Sequence, residues 1–334
     1  MVIAGCAKPS ETTKNDAAKK YFDSWMQINH PEAYETPLGS YIFSMQQGLG
    51  KPAGKASENP YVRVNYTMRK LDGTISATTY PKIAQQVGTY KETNFYGPDV
   101  FNRTPGSIAV GFDELLEQMN EGAKVTAAVP GWLNGTKVYS NKEDYLKNVT
   151  GNDYIYDIEL VEVIKDIKTW EVDSLIRYMK EAYPQINPTD TVSGTEYNGK
   201  KYGFYFIKQQ ETDKPDSTYA TDTKVYLNYT GKLLNGQVFD TTIEKVAKDA
   251  GIYKQGQKYE PAFVTWAAEY KDLKFGTSSS DLIDGFKFAL FQMKPHEKGV
   301  ALFYSGLGYK ETGSGNSIPG YSPLIFEFEL VDKK

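Results

Sequence analysis

The sequence predicts an α+β protein that uses one plan twice: two domains, each an antiparallel sheet wrapped around a short amphipathic helix and each preceded by an N-terminal helix. Three observations predict it. The 334 residues suffice for two cores of ordinary size. Strand-like stretches of period-two alternation interleave with single helical stripes. The same elements also come in the same order in both halves, the mark of an internal repeat.

Each half opens with a helical stripe. Ala18, Tyr21, Phe22, Trp25 and Met26 fall at i, i+3, i+4, i+7 and i+8, and Val172, Leu175, Ile176 and Met179 repeat the pattern before Pro184. Asp16 and Glu171 stand near the helix starts, where the macrodipole favours a negative charge. A short aromatic strand follows in each copy, Ser40 to Phe43 and Phe204 to Ile207, and after a polar stretch comes an alternating one. Val62, Val64 and Tyr66 share one face of the first copy, as Val225, Leu227 and Tyr229 do in the second, which predicts one buried and one solvated side. Each reaches a glycine seven residues after the tyrosine, Gly73 and Gly236, as a hairpin turn requires. A short helix then carries Phe112, Leu116 and Met119, or Phe286, Leu290 and Met293, each aromatic preceded by a glycine. Both copies close on an alternating strand in which Tyr156, Ile158 and Leu160, or Phe326, Phe328 and Leu330, face inward.

Composition narrows the function. Hydrophobic residues at 40% with 24% charged describe a folded globular chain. A net charge of -4 offers no basic excess, so nucleic acid is not an expected partner. The two histidines, His30 and His296, leave little material for histidine metal sites or catalytic triads, and no cofactor or metal is expected. Cys6 is the one cysteine, and Ile3-Ala4-Gly5-Cys6 looks like a bacterial lipobox whose cysteine is lipidated. A complete signal carries an apolar run of about 7–15 residues, so residues 1–14 read as a signal remnant and tether. The expectation is a bacterial envelope protein, on the periplasmic side or the cell surface, that meets the membrane only through this lipid anchor.

Motifs in the second half are more specific. They are Val225-Tyr226-Leu227-Asn228-Tyr229-Thr230-Gly231, Asn235-Gly236-Gln237-Val238-Phe239-Asp240, Leu282-Ile283-Asp284-Gly285-Phe286, Met293, Gly308-Tyr309, Ile318-Pro319 and Leu324 to Leu330. From about 185 to 334 this pattern resembles the FKBP family of peptidyl-prolyl cis-trans isomerases. The chain as a whole resembles bacterial, Bacteroidota-like lipoprotein members with two FKBP-like domains. The resemblance implies a pocket for a prolyl ring lined by Tyr229, Phe239, Leu282, Ile283, Phe286, Ile318 and Phe326. Asp240 and Tyr309 stand in it as the catalytic carboxylate and hydroxyl. It implies that the backbone N–H of Ile283 receives a substrate carbonyl and that Phe286 replaces the tryptophan of the best-known members. The implied partners are proline-containing unfolded or exported polypeptides and macrolide ligands such as rapamycin.

Three features depart from the pattern. A stretch at 243–270 is inserted, Lys310-Glu311 follows Tyr309 where a glycine is usual, and Gly320 replaces a proline after Ile318. The domains expected are 15–165, a degenerate copy with its leading helix, and 166–334, the isomerase copy with its own. The first copy keeps Tyr66, Phe112 and Tyr156, but Ser76 and Ala77 stand where Phe239 and Asp240 stand in the second. It therefore reads as the fold without the activity, a binding or spacing module. The alternative for the whole chain is a non-catalytic FKBP-like binding or chaperone module of the envelope.

Overall fold

The computed structural model describes residues 15–185, 203–276 and 282–332, and the backbone of short strand pieces between 189 and 201. Cys6 and the rest of 1–14 lie outside the described residues. The chain forms two compact units, 15–89 with 96–165, and 90–95 with 166–332. Among the described residues no helix is long and apolar enough to cross a membrane.

The first unit begins with helix α1 (Asp16–Asn29), which buries Phe22 and Met26. The expected stripe is narrower than its pattern: Ala18 and Tyr21 are exposed. Phe22 meets Trp132 edge-on at 5.6 Å and Tyr41 at 5.8 Å, and Tyr21, about 100° further round the helix, turns to solvent. The sheet is antiparallel, in the order Tyr34–Glu35, Tyr41–Gln46, Lys124–Val129, Tyr154–Ile164, Tyr61–Lys70, Ile75–Thr78, with Asp99–Asn102 also paired to Tyr61–Lys70. Helix α2 (Pro81–Gln86) starts on a proline, which lacks the N–H a first helical position leaves unused. Helix α3 (Val110–Glu117) is the central one: Phe112, Leu115 and Leu116, with Met119 after it, pack into one core with Val64, Val125, Ile158 and Leu160. Helix α4 (Lys142–Asn148) is capped by Asn141, whose side chain accepts from the Asp144 N–H.

The second unit repeats this. Helix α5 (Ile167–Ala182) is capped by Asp166, which accepts from the Thr169 N–H at 2.7 Å. Its antiparallel sheet runs Lys274–Phe275, Ala262–Thr265, Lys224–Leu233, Leu324–Val331, Lys298–Phe303, Phe204–Gln210, Thr189–Asp190, with Val238–Thr241 also paired to Lys224–Leu233. Helices α6 (Glu244–Asp249) and α7 (Asp284–Phe291) follow. Glycine takes the position before Phe286 because a Cβ on Gly285 would lie 2.5 Å from the Phe303 ring; this closeness lets α7 lie against the strand.

One expectation changes. Glu171 does not serve the dipole of its helix: it is buried and accepts from the N–H and hydroxyl of Ser305 at 2.5 and 2.8 Å. The stretch 243–270 also has an equivalent in the first copy. Its helix and strand have counterparts in α2 and Asp99–Asn102, and the registers match, Val62 opposite Phe101 and Val225 opposite Val264. Both copies thus share a plan that includes this stretch.

Candidate functional site

The second unit holds a cleft of about 240 Å³ whose walls come from separated parts of the sequence. Strand Lys224–Leu233 presents Tyr229, the hairpin partner Val238–Thr241 presents Phe239 and Asp240, and strand Leu324–Val331 presents Phe326. Leu282 and Ile283 lead into α7, which supplies Phe286 as the floor, and Tyr309 comes from the loop before the last strand. Of the pocket residues expected from the sequence, Tyr229, Phe239, Asp240, Leu282, Ile283, Phe286, Tyr309 and Phe326 line this cleft, and Ile318 does not. Ile318 is instead buried in the core beneath it, because its N–H and carbonyl bond Ser314 and fold the loop back on itself. Phe275 is a wall the sequence reasoning missed; it belongs to a two-residue strand with no readable pattern.

Local packing explains the shape. A Cβ on Gly231 would lie 2.5 Å from the Phe239 ring and 3.0 Å from Phe326, so only glycine lets Phe239 lie across the strand. Phe286 stands edge-on to Tyr229 at 5.3 Å and to Phe326 at 5.2 Å, and Phe239 edge-on to Phe326 at 5.6 Å. Edge-to-face rings hold one another at fixed angles, so the cleft keeps rigid apolar walls.

Polar groups sit at its mouth. The Tyr229 hydroxyl donates to the exposed Asp240 carboxylate at 2.7 Å, which aims that carboxylate along the cleft edge. Burial, then the Asp240 charge and this bond, push the Tyr229 phenol far up; burial and the Asp240 charge also raise Tyr309. Both therefore remain hydrogen-bond donors at neutral pH.

The loop that delivers Tyr309 holds two of the three departures named above, Lys310 and Gly320. Lys310, where a glycine is usual, takes a left-handed φ of +55°, an uncommon conformation for a residue with a side chain. Gly320 lets the returning chain pass close, since a Cβ there would meet the Glu311 carbonyl at 2.1 Å. The base of this loop, Ser305, is the group held by Glu171. The stretch 243–270 borders the cleft on its Asp240 side: Ile252, Lys254, Gln257 and Tyr259 line a second hollow of about 130 Å³ that shares Phe239 and Asp240 with the first.

The first unit differs at the same places. Met68 occupies the register of Gly231, opposite Ala77 as Gly231 is opposite Asp240. Ser76 and Ala77 replace the aromatic wall and the carboxylate. Tyr66, Phe101, Phe112 and Tyr156 remain as a packed ring cluster with centroids 5.2–6.1 Å apart.

Residues 216–331 match the sequence model of a family described as FKBP-type peptidyl-prolyl cis-trans isomerase. A probable FKBP-type peptidyl-prolyl cis-trans isomerase of Haemophilus influenzae is 33% identical over 125 residues, 37% of this chain and 41% of that protein. FK506-binding protein 2 of Dictyostelium discoideum is 30% identical over 108 residues, 32% of this chain and 63% of that one. The chain thus covers less than two thirds of either relative. The solved structure of the three FKBP domains of wheat FKBP73 aligns over 88% of this chain and 94% of its own at 18% identity, with a TM-score of 0.28. The matched segment lies within the second unit.

Proposed function

We propose that the second unit is a peptidyl-prolyl cis-trans isomerase of the FKBP type that acts on X-Pro bonds of unfolded or exported polypeptides. The observation that carries it is the convergence of Tyr229, Phe239, Asp240, Ile283, Phe286, Tyr309 and Phe326 on one cleft. Rotation about an X-Pro bond is slow because amide resonance sets a barrier of about 18–20 kcal/mol. Midway through the rotation resonance is lost and the amide is less polar. A cleft of fixed aromatic faces therefore suits the twisted amide better than the planar one, and each ~1.4 kcal/mol of that preference is tenfold in rate. Tyr309 donates to a substrate carbonyl, and Asp240, held by Tyr229, receives the polar side of the bound segment. Such a mechanism draws on no nucleophile, metal or cofactor.

The test is refolding of a reduced, carboxymethylated protein limited by X-Pro isomerisation, with the full-length chain as catalyst. Acceleration that rapamycin abolishes is expected, and Asp240→Ala with Tyr309→Phe removes most of it; a rate equal to the uncatalysed one overturns the proposal. The envelope location and the lipid anchor at Cys6 belong to the same proposal, supported by the lipobox-like sequence. Incorporation of labelled palmitate that Cys6→Ser abolishes is the expected result, and an unlabelled wild-type protein refutes that part.

A further inference from the structure

The two copies differ most on the outer face of their central helix. In the second unit Trp266 stacks on Phe291 at 5.5 Å, and Tyr270 meets Phe288 edge-on at 5.1 Å, so aromatic rings seal that face of α7. Among its described residues the first unit has no such seal. Arg103 takes the register of Trp266: its N–H bonds the Pro60 carbonyl at 2.7 Å as that of Trp266 bonds Thr223 at 2.8 Å. The residues of α3 that correspond to Lys287, Phe288 and Phe291 are Asp113, Glu114 and Glu117, counted from the paired Phe112 and Phe286. In place of packed rings there is a cleft of about 970 Å³, about four times the volume of the proline cleft and walled by Leu38, Ile108, Val110 and Val138.

Its charges are unevenly spent. The Arg103 side chain is fully buried and committed: it donates to Asp113 at 2.5 Å and to the carbonyls of Ala53 and Gly54 at 3.2 and 2.8 Å. Glu114 accepts from the Thr36 hydroxyl and the Leu38 N–H, both at 2.7 Å, and faces no cation within an ion-pair distance among the described residues. The Glu117 carboxylate is exposed at the opening, within the field of Arg103 and Lys55 but with neither a hydrogen bond nor an ion pair among the described residues. Three carboxylates thus face two cations, Arg103 and Lys55, and the buried one is already engaged. An apolar trough with one uncommitted carboxylate at its lip suits a ligand that is apolar along its length and positively charged at one point.

We propose that this cleft is a second binding site, separate from the proline cleft, for an extended polypeptide segment that sets a lysine or arginine beside apolar side chains. The basic group pairs with Glu117 while the apolar side chains cover Val110 and Val138. The first unit on this reading has exchanged a proline slot for a client-holding surface, and the same duplication yields two different sites.

The experiment uses the full-length protein and fluorescein-labelled peptides without proline, matched in valine, leucine and serine, one carrying lysines and the other glutamates. Fluorescence anisotropy is expected to show binding of the lysine peptide alone. Glu117→Lys and Val138→Arg each weaken it about tenfold or more, whereas Asp240→Ala with Tyr309→Phe leaves it unchanged. Both substituted positions are exposed, Val138 at 55%, so the variants fold, which far-ultraviolet circular dichroism checks. Equal binding of the two peptides, indifference to Glu117→Lys, or loss of binding in the Asp240→Ala, Tyr309→Phe protein each overturns the proposal.

Discussion

Glu171 sits under the loop that carries Tyr309, and its protonation is tied to the stability of the second unit. Burial raises its carboxyl from 4.5 to about 7, against the opposing bonds from Ser305 and the charge of Lys168. The folded protein therefore holds this proton more tightly than the unfolded chain does. The stabilisation is complete below about pH 4.5 and is lost as the pH rises through about 7, a change of about 3 kcal/mol. Glu171→Gln removes the titration and keeps both contacts, its amide oxygen accepting from the Ser305 N–H and its amide nitrogen donating to the Ser305 hydroxyl oxygen. The assay is urea unfolding of both proteins at about pH 5 and pH 8, where the wild type is expected to lose roughly 3 kcal/mol more than the variant. Asp99, raised by burial to about 6, titrates over the same range; it is common to both proteins and cancels in the difference. Equal pH dependence in the two proteins would refute the reasoning. The Ser305 carbonyl also receives the N–H groups of Gly308 and Lys310 at 2.8 and 2.9 Å. Glu171→Ala should consequently loosen the Tyr309 loop and lower catalysis of refolding as well as stability.

Two further substitutions separate the units. Gly231→Ala places a methyl group 2.5 Å from the Phe239 ring and forces that wall aside; catalysis should fall about tenfold or more for a stability loss of about 1–3 kcal/mol, and unchanged catalysis in the refolding assay contradicts the assigned wall. Arg103→Met strands the Asp113 carboxylate and the carbonyls of Ala53 and Gly54, a loss of about 3–5 kcal/mol. Adding Asp113→Leu should recover part of it, and a single-variant loss below about 1 kcal/mol by thermal unfolding would show that the ion pair matters little.

The strands and central helices were legible because alternation and helical spacing survive in short stretches, and the cleft was legible because its residues recur at the family's spacing. What escaped was set by partners distant in sequence. A charged residue reads as surface until its partner is known, and Glu171 and Arg103 are both buried against groups far away, Ser305 lying 134 residues from Glu171. Phe275 was missed because a two-residue strand beyond α6 carries no period. That Ile318 packs in the core cluster that also holds Phe286 and Phe326, behind the cleft wall, was not legible because spacing fixes its place along the loop and not the side on which the loop folds.

The duplication supplies an internal control on which residues serve the fold and which serve the site. The hairpin threonines keep identical bonds in both copies: Thr79 and Thr242 each accept from the N–H of Tyr66 and Tyr229 at 2.9 Å, and the pairs Thr67–Thr78 and Thr230–Thr241 each stand at 2.9 Å. These bonds hold the hairpin whether or not a cleft lies above it. One and two residues before Thr78 the first copy has Ala77 and Ser76, and at the matching positions before Thr241 the second has Asp240 and Phe239. The change in side chain leaves the backbone register alone, Ala77 opposite Met68 and Asp240 opposite Gly231. An exposed carboxylate and a half-buried ring therefore add nothing the hairpin requires. Their presence in one copy alone is accounted for by the cleft they border, and the assignment of Asp240 and Phe239 to function rests on that difference.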